Sequence, residues 1–96
     1  MQPYLLTDEE LKELGPKIPQ WDISEKHIKR DFIFKDFIEA FSFITRVALL
    51  CEKYNHHPNW ENVYSKVTIR LTTHDIGGIS NLDQLMASEI NNLTNY

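Results

Sequence analysis

Four histidines are the side chains of this chain best suited to chemistry near neutral pH: His27, His56, His57 and His74. An imidazole titrates close to neutrality, so one ring can deliver a proton while another collects one. His56 and His57 stand where a long helix should run into a loop before a strand, and His74 stands where that strand should end. A helix end and a strand end meet readily in a two-layer sandwich, so one polar pocket can hold all three. Asp75 follows His74, and Glu52 lies one helical turn before His56. Gly77 and Gly78 permit backbone to approach a ligand closely, and a capped helix start at Ser80 offers free N–H donors.

Three readings of this cluster compete. The first is acid–base catalysis by a pair of imidazoles. The second is a zinc centre, for which His56, His57, His74 and Asp75 nominally suffice. Adjacent histidines rarely both reach one metal, and no cysteine joins them. The third reading is ordinary loop histidines bonded to backbone carbonyls, since loops collect polar residues. Trp60, just after Pro58, can stack on a planar ligand or cap the edge of a sheet. His27 reads as a solvated strand-end residue, and Cys51 as a small core hydrophobe.

The elements that must position these residues follow from periodicity. Thr7 with Glu10 forms a capping box, Asp8 and Glu9 suit the helix dipole, and Gly15-Pro16 should stop that short, peripheral first helix. Trp21 and Ile23 alternate with polar neighbours and predict a first strand. Ile28, Arg30, Phe32 and Phe34 share one parity and predict a second, joined to the first as an antiparallel hairpin. A long helix is expected from the Asp36 cap to Tyr54. Phe37, Phe41, Ile44, Ala48 and Cys51 form one apolar stripe on it, and Phe43, Val47, Leu50 and Tyr54 form another. A face so wide predicts packing on a sheet and contact with a further partner. Asn55 through Pro58 should end this helix, since proline disfavours helical geometry in the residue before it. Val63 to Leu71 alternate cleanly and predict one long strand, or two short ones divided at Ser65-Lys66. A last helix is expected after Ser80, with Asp83 completing its cap and Leu82, Leu85, Met86, Ile90 and Leu93 on one face. The fold class is therefore α+β: a two-layer sandwich, an antiparallel sheet with helices on one face, in the order α-β-β-α-β-α.

Composition narrows the setting. Ninety-six residues predict a single domain spanning 1–96. Ten Lys and Arg against fourteen Asp and Glu give a net charge of −4, which argues against direct nucleic acid binding. One cysteine cannot form an internal disulfide, no stretch is long enough to span a membrane, and no basic-then-apolar leader opens the chain. A cytoplasmic location is expected.

The run Glu52-Lys53-Tyr54-Asn55-His56-His57-Pro58-Asn59-Trp60, then Asn62-Val63-Tyr64 and Lys66-Val67, then Thr72 to Ser80, resembles the pterin-4a-carbinolamine dehydratase family. The paired histidines before proline, with Thr-His-Asp about sixteen residues later, carry the resemblance, which extends over essentially the whole chain. It implies removal of water from a 4a-hydroxytetrahydropterin to give the quinonoid dihydropterin, without metal or cofactor, after an aromatic amino acid hydroxylase has made the carbinolamine. It implies that His56 and His74 handle protons and His57 binds and polarises substrate. Glu52 and Asp75 would orient imidazoles, Pro58 and Trp60 would flank the ring, and Thr73, Asp75, Ile76, Gly77 and Gly78 would line the pocket. The family also implies a homodimer or homotetramer. Two alternatives stand beside it: a non-catalytic pterin-binding or dimerisation module, and an enzyme for a molybdopterin-related pterin.

Overall fold

A computed structural model describes residues 2–94. Helix α1 (Asp8–Lys17) precedes strands β1 (Asp22–Ile23) and β2 (Ile28–Ile33), then helix α2 (Phe37–Tyr54). Strands β3 (Asn59–Val63) and β4 (Lys66–Leu71) follow, then a 3₁₀ turn (His74–Ile76) and helix α3 (Asn81–Asn92). The sheet runs β1-β2-β4-β3 with every neighbouring pair antiparallel. The expected α+β sandwich is present, with the last strand resolved into two. Among the described residues no helix is long and apolar enough to cross a membrane.

Strand alternation sorts the two faces of the sheet. Ile28 and Phe32 of β2 and Val67, Ile69 and Leu71 of β4 are buried together with Ala40, Phe43, Val47 and Cys51 of α2 and Met86, Ala87 and Ile90 of α3. Phe43 is the centre of an aromatic cluster, its ring centroid 4.7 Å from that of Phe32 and 5.0 Å from that of Phe34. Arg30 falls on this inner parity as well. Its guanidinium lies 4.3 Å from the Phe32 ring centre and donates to Asn91 Oδ1, which also accepts from Trp21 Nε1 at 2.8 Å. Burial lowers its pKa from the ordinary value. The opposite face carries Lys29, Asp31, Asn59, Glu61, Lys66, Thr68 and Arg70 and is open, though Thr68 itself is buried between its neighbours' side chains.

Three boundaries differ from the sequence expectation. Helix α1 continues through Gly15 and Pro16 to Lys17, and Ile18 N donates to Leu14 O at 3.0 Å. Leu14 and Ile18 are both wholly buried, and that burial outweighs the local breakers. The first strand is only Asp22–Ile23, so buried Trp21 precedes it. Helix α2 ends at Tyr54 as expected, and it is Asn55, in the left-handed conformation at φ 49°, ψ 47°, that closes it. On α2 Phe43 and Val47 of one stripe and Cys51 of the other are buried, while Phe37 and Phe41 stay exposed. Between β3 and β4 the chain turns at Tyr64-Ser65, with Tyr64 at φ 53°. Asn62 Nδ2 holds this turn by donating to Tyr64 O at 3.1 Å and Lys66 O at 3.0 Å.

Candidate active site

The left-handed Asn55 turns the chain sharply out of α2, and His56 N still reaches back to Cys51 O at 3.1 Å. That geometry carries the His56 ring inward and the His57 ring outward. His56 is only 11% exposed, and its Nε2 lies 2.5 Å from Oδ1 of Asp83, which is completely buried. Asp83 was expected only as a helix cap. It does complete the capping box, accepting from Ser80 N at 2.8 Å, and it also accepts from Thr73 Oγ1 at 2.9 Å. Thr73 and Ser80 hydroxyls are 2.6 Å apart. A carboxylate removed from water is tolerable only with donors of this number and quality. Because a carboxylate accepts, His56 Nε2 donates to it, which leaves Nδ1 as the ring's free nitrogen.

His57 is exposed, and its Nε2 pairs with Glu52 Oε2 at 3.1 Å, one turn back on α2. Its place relative to the sheet follows from register. Continuing the β2–β4 pairing one residue past Ile28↔Leu71 sets His27 opposite Thr72. Continuing the β3–β4 pairing two residues past Asn59↔Arg70 sets His57 opposite Thr72 from the other side. These side chains extend the open face beyond the end of the sheet. There they line a cavity of about 200 Å³ formed by His27, His57, Asn59, Arg70, Thr72 and His74. His74 enters from the 3₁₀ turn, which is closed by the Thr73↔Gly78 bridge and by Gly77 N donating to Thr73 O at 3.0 Å.

The structure therefore gathers His57 and His74 at one cavity and sets His56 behind them, tied through Asp83 to Thr73, the residue preceding His74. Glu52 reaches His57. Exposed Asp75 and half-buried Ile76 lie on the 3₁₀ turn. Half-buried Pro58 links His57 to β3. Trp60 falls on the opposite parity from Asn59 and packs against the core. Thr73 is buried within the Asp83 network. The two glycines serve different needs. Gly77 holds a left-handed φ of 78°, whereas a Cβ on Gly78 would stand 3.2 Å from a Leu5 methyl. That contact belongs to the N-terminal segment, where Leu6 N donates to Ile79 O at 3.0 Å. Among the described residues no three His, Cys, Asp or Glu side chains are grouped as a metal ion requires. Burial raises the Cys51 thiol to about 11, away from reactivity at neutral pH. On the open face, a hydrogen bond from Thr68 holds the Asp31 carboxyl below its ordinary range.

The sequence pattern that defines the pterin 4 alpha carbinolamine dehydratase family matches residues 4–93. The chain belongs to this family. A protein of Prochlorococcus marinus strain MIT 9312, named provisionally as a pterin-4-alpha-carbinolamine dehydratase, is 70% identical over 93 residues, covering 97% of each chain. A relative of the same name from strain MIT 9303 is 50% identical over 91 residues, covering 95% of each. The fold matches a crystal structure of a transcriptional coactivator/pterin dehydratase from Brucella melitensis with a TM-score of 0.89 at 38% identity, covering 94% of this chain and 98% of that one. A pterin dehydratase-like RuBisCO assembly factor of the alpha-carboxysome shares the fold, with a TM-score of 0.63 at 20% identity over 76% of this chain and 84% of that one. Beside the residues singled out in the sequence, the structure adds Asp83, whose capping role already accounted for its identity, as the partner of His56, and His27, Asn59, Arg70 and Thr72 as cavity lining. Their signal was strand register, which becomes usable only once the β3–β4 turn is placed.

Proposed function

We propose that this chain, acting as one cytoplasmic domain, dehydrates a 4a-hydroxytetrahydropterin to the quinonoid dihydropterin. The observation that supports this most directly is the pairing of His57 and His74 on one cavity at the end of the sheet, with His56 held behind them by Asp83. The reaction needs little from the protein. The N5 lone pair expels the hydroxyl on C4a, a general acid protonates the departing oxygen to water, and a general base takes the N5 proton. Such proton transfers are worth about 10²–10⁴-fold in rate. His74 and His56 are the proton-handling pair, each serving as acid or base according to the face that carries the hydroxyl. His57, oriented by Glu52, binds and polarises the substrate. Thr73 to Gly78, with Asp75, Ile76 and Gly77, form the wall that holds His74 in place, and Pro58 and Trp60 fix the strand beside the histidine pair. No metal or cofactor has a part in these steps. The physiological source of substrate is an aromatic amino acid hydroxylase, whose carbinolamine product this activity converts to the quinonoid dihydropterin that a separate reductase then reduces to the tetrahydropterin.

Stopped-flow absorbance on a synthetic 4a-hydroxytetrahydropterin tests the reading. Catalytic amounts of protein should raise the dehydration rate at least tenfold over the spontaneous rate, about the low end of general acid–base help. An unchanged spontaneous rate overturns it. A second role is favoured by one specific observation: Phe37, Ile38, Phe41 and Leu49 leave the outer side of α2 apolar and exposed. We place a homo-oligomeric contact there, as a dimer or a dimer of dimers, because exposed apolar patches of this kind mark interfaces.

A further inference from the structure

Lys26, His27 and Arg70 border the candidate site yet have no part in moving the protons. The cavity between His57 and His74 adjoins a second hollow of about 300 Å³, lined by Lys26, His27, Thr72, His74 and Gly77. The two share His27, Thr72 and His74. Among the described residues no carboxylate lines either hollow, although the chain as a whole carries a net charge of −4. Every charged or chargeable side chain on the combined wall is cationic or imidazole.

The wall is also held in place. Thr72 Oγ1 donates to Lys26 O at 2.6 Å, which fastens the β1–β2 turn to the end of β4. Within that turn Ser24 N donates to His27 O at 2.9 Å, and Ser24 Oγ lies 3.1 Å from His27 Nδ1. That contact engages His27 Nδ1, and the residue lines both hollows. Arg70 is ion-paired with Glu61 through Nη1 at 3.2 Å and also attracts the Asp31 carboxylate, yet it still lines the first cavity. Lys26 and His27 on the second hollow, with Arg70 on the adjoining cavity, make a cationic wall suited to an anion.

We propose that the second hollow receives a negatively charged side chain carried by the pterin, a carboxylate or a phosphate ester, and that His27 and Lys26 are its specificity-determining residues. This rests on the reading that the first cavity holds the pterin ring. The ring sits between His57 and His74, its side chain passes Thr72, and the anion meets Lys26 and His27 with Arg70 adding a longer-range attraction. A neutral side chain makes no such contacts and gains nothing from the cationic wall.

Equilibrium binding of three unreactive pterins, read by quenching of pterin fluorescence, tests this on the intact protein. The three share one ring and carry a neutral dihydroxypropyl, a carboxylate or a phosphate monoester side chain. One or both charged pterins should bind about tenfold tighter than the neutral one at low salt, the size of one good charge-assisted contact. Whichever charged pterin binds tighter names the anion. The advantage should shrink as salt is raised to molar levels, and it should fall to about twofold or less in a Lys26→Gln/His27→Gln double variant whose melting curve matches the parent. Equal binding of all three by the parent protein overturns the inference and leaves the dehydratase reading intact. So does a charge preference that survives undiminished in the double variant. Failure to bind any pterin overturns both.

Discussion

Asp83 shows how much one side chain can hold. It is wholly buried and receives His56, Thr73 and the Ser80 backbone at once. Asp83→Asn keeps the shape but places an amide where donors converge, so at least one of them loses its partner. Breaking a buried pair of this kind costs about 3–5 kcal/mol, and urea denaturation should register a loss of that order. In the fraction that remains folded, kcat for carbinolamine dehydration should fall more than KM changes, because the His56 ring is then free to rotate while the cavity wall stays in place. An unchanged kcat in folded protein would remove His56 from the reaction. At this scale the sequence was only half legible. The convergence of His57 with His74 followed from a helix end meeting a strand end. Asp83 did not, because a third-position acid after Ser80 is already explained by capping, and nothing local says that its second oxygen faces a histidine.

Elements were more legible than their joints. Helices α2 and α3 and strand β2 follow from caps and periodicity, since Asp36 and Ser80 cap as expected and the inner parity of β2 is buried. The β3–β4 turn was ambiguous for a physical reason. Val63 is exposed on an edge strand, so its apolar side chain prolongs the alternation of β4 backwards through the turn. Tyr64 also takes a left-handed conformation without the glycine or asparagine that announces one. Asn55 makes the same conformational demand at the end of α2, where it sets the direction of both following histidines. Asn55→Ala should cost about 1–2 kcal/mol, the penalty of a Cβ residue in left-handed geometry without a helpful side chain. Asn55→Gly should be stable to within a few tenths of a kcal/mol of the parent, since glycine adopts that geometry freely. Equal stability of the alanine variant and the parent in urea would show that the cap is not held as described.

For the whole molecule, the apolar face of α2 is wider than the sheet beneath it, and the surplus lies on Phe37, Ile38, Phe41 and Leu49. Phe41→Glu should shift the protein toward a lone 11.3 kDa species in size-exclusion chromatography with light scattering, while the parent elutes as an oligomer. A monomeric parent would remove the proposed interface. The central claim concerns the cavity where imidazoles from two distant stretches of chain meet at the end of the sheet. The most direct test compares the parent with His74→Gln in stopped-flow dehydration of each C4a epimer of the carbinolamine. The account predicts that the parent accelerates both epimers and that His74→Gln loses about 10²-fold or more on at least one of them, the scale of a general acid or base. Full activity of His74→Gln on both epimers would contradict it.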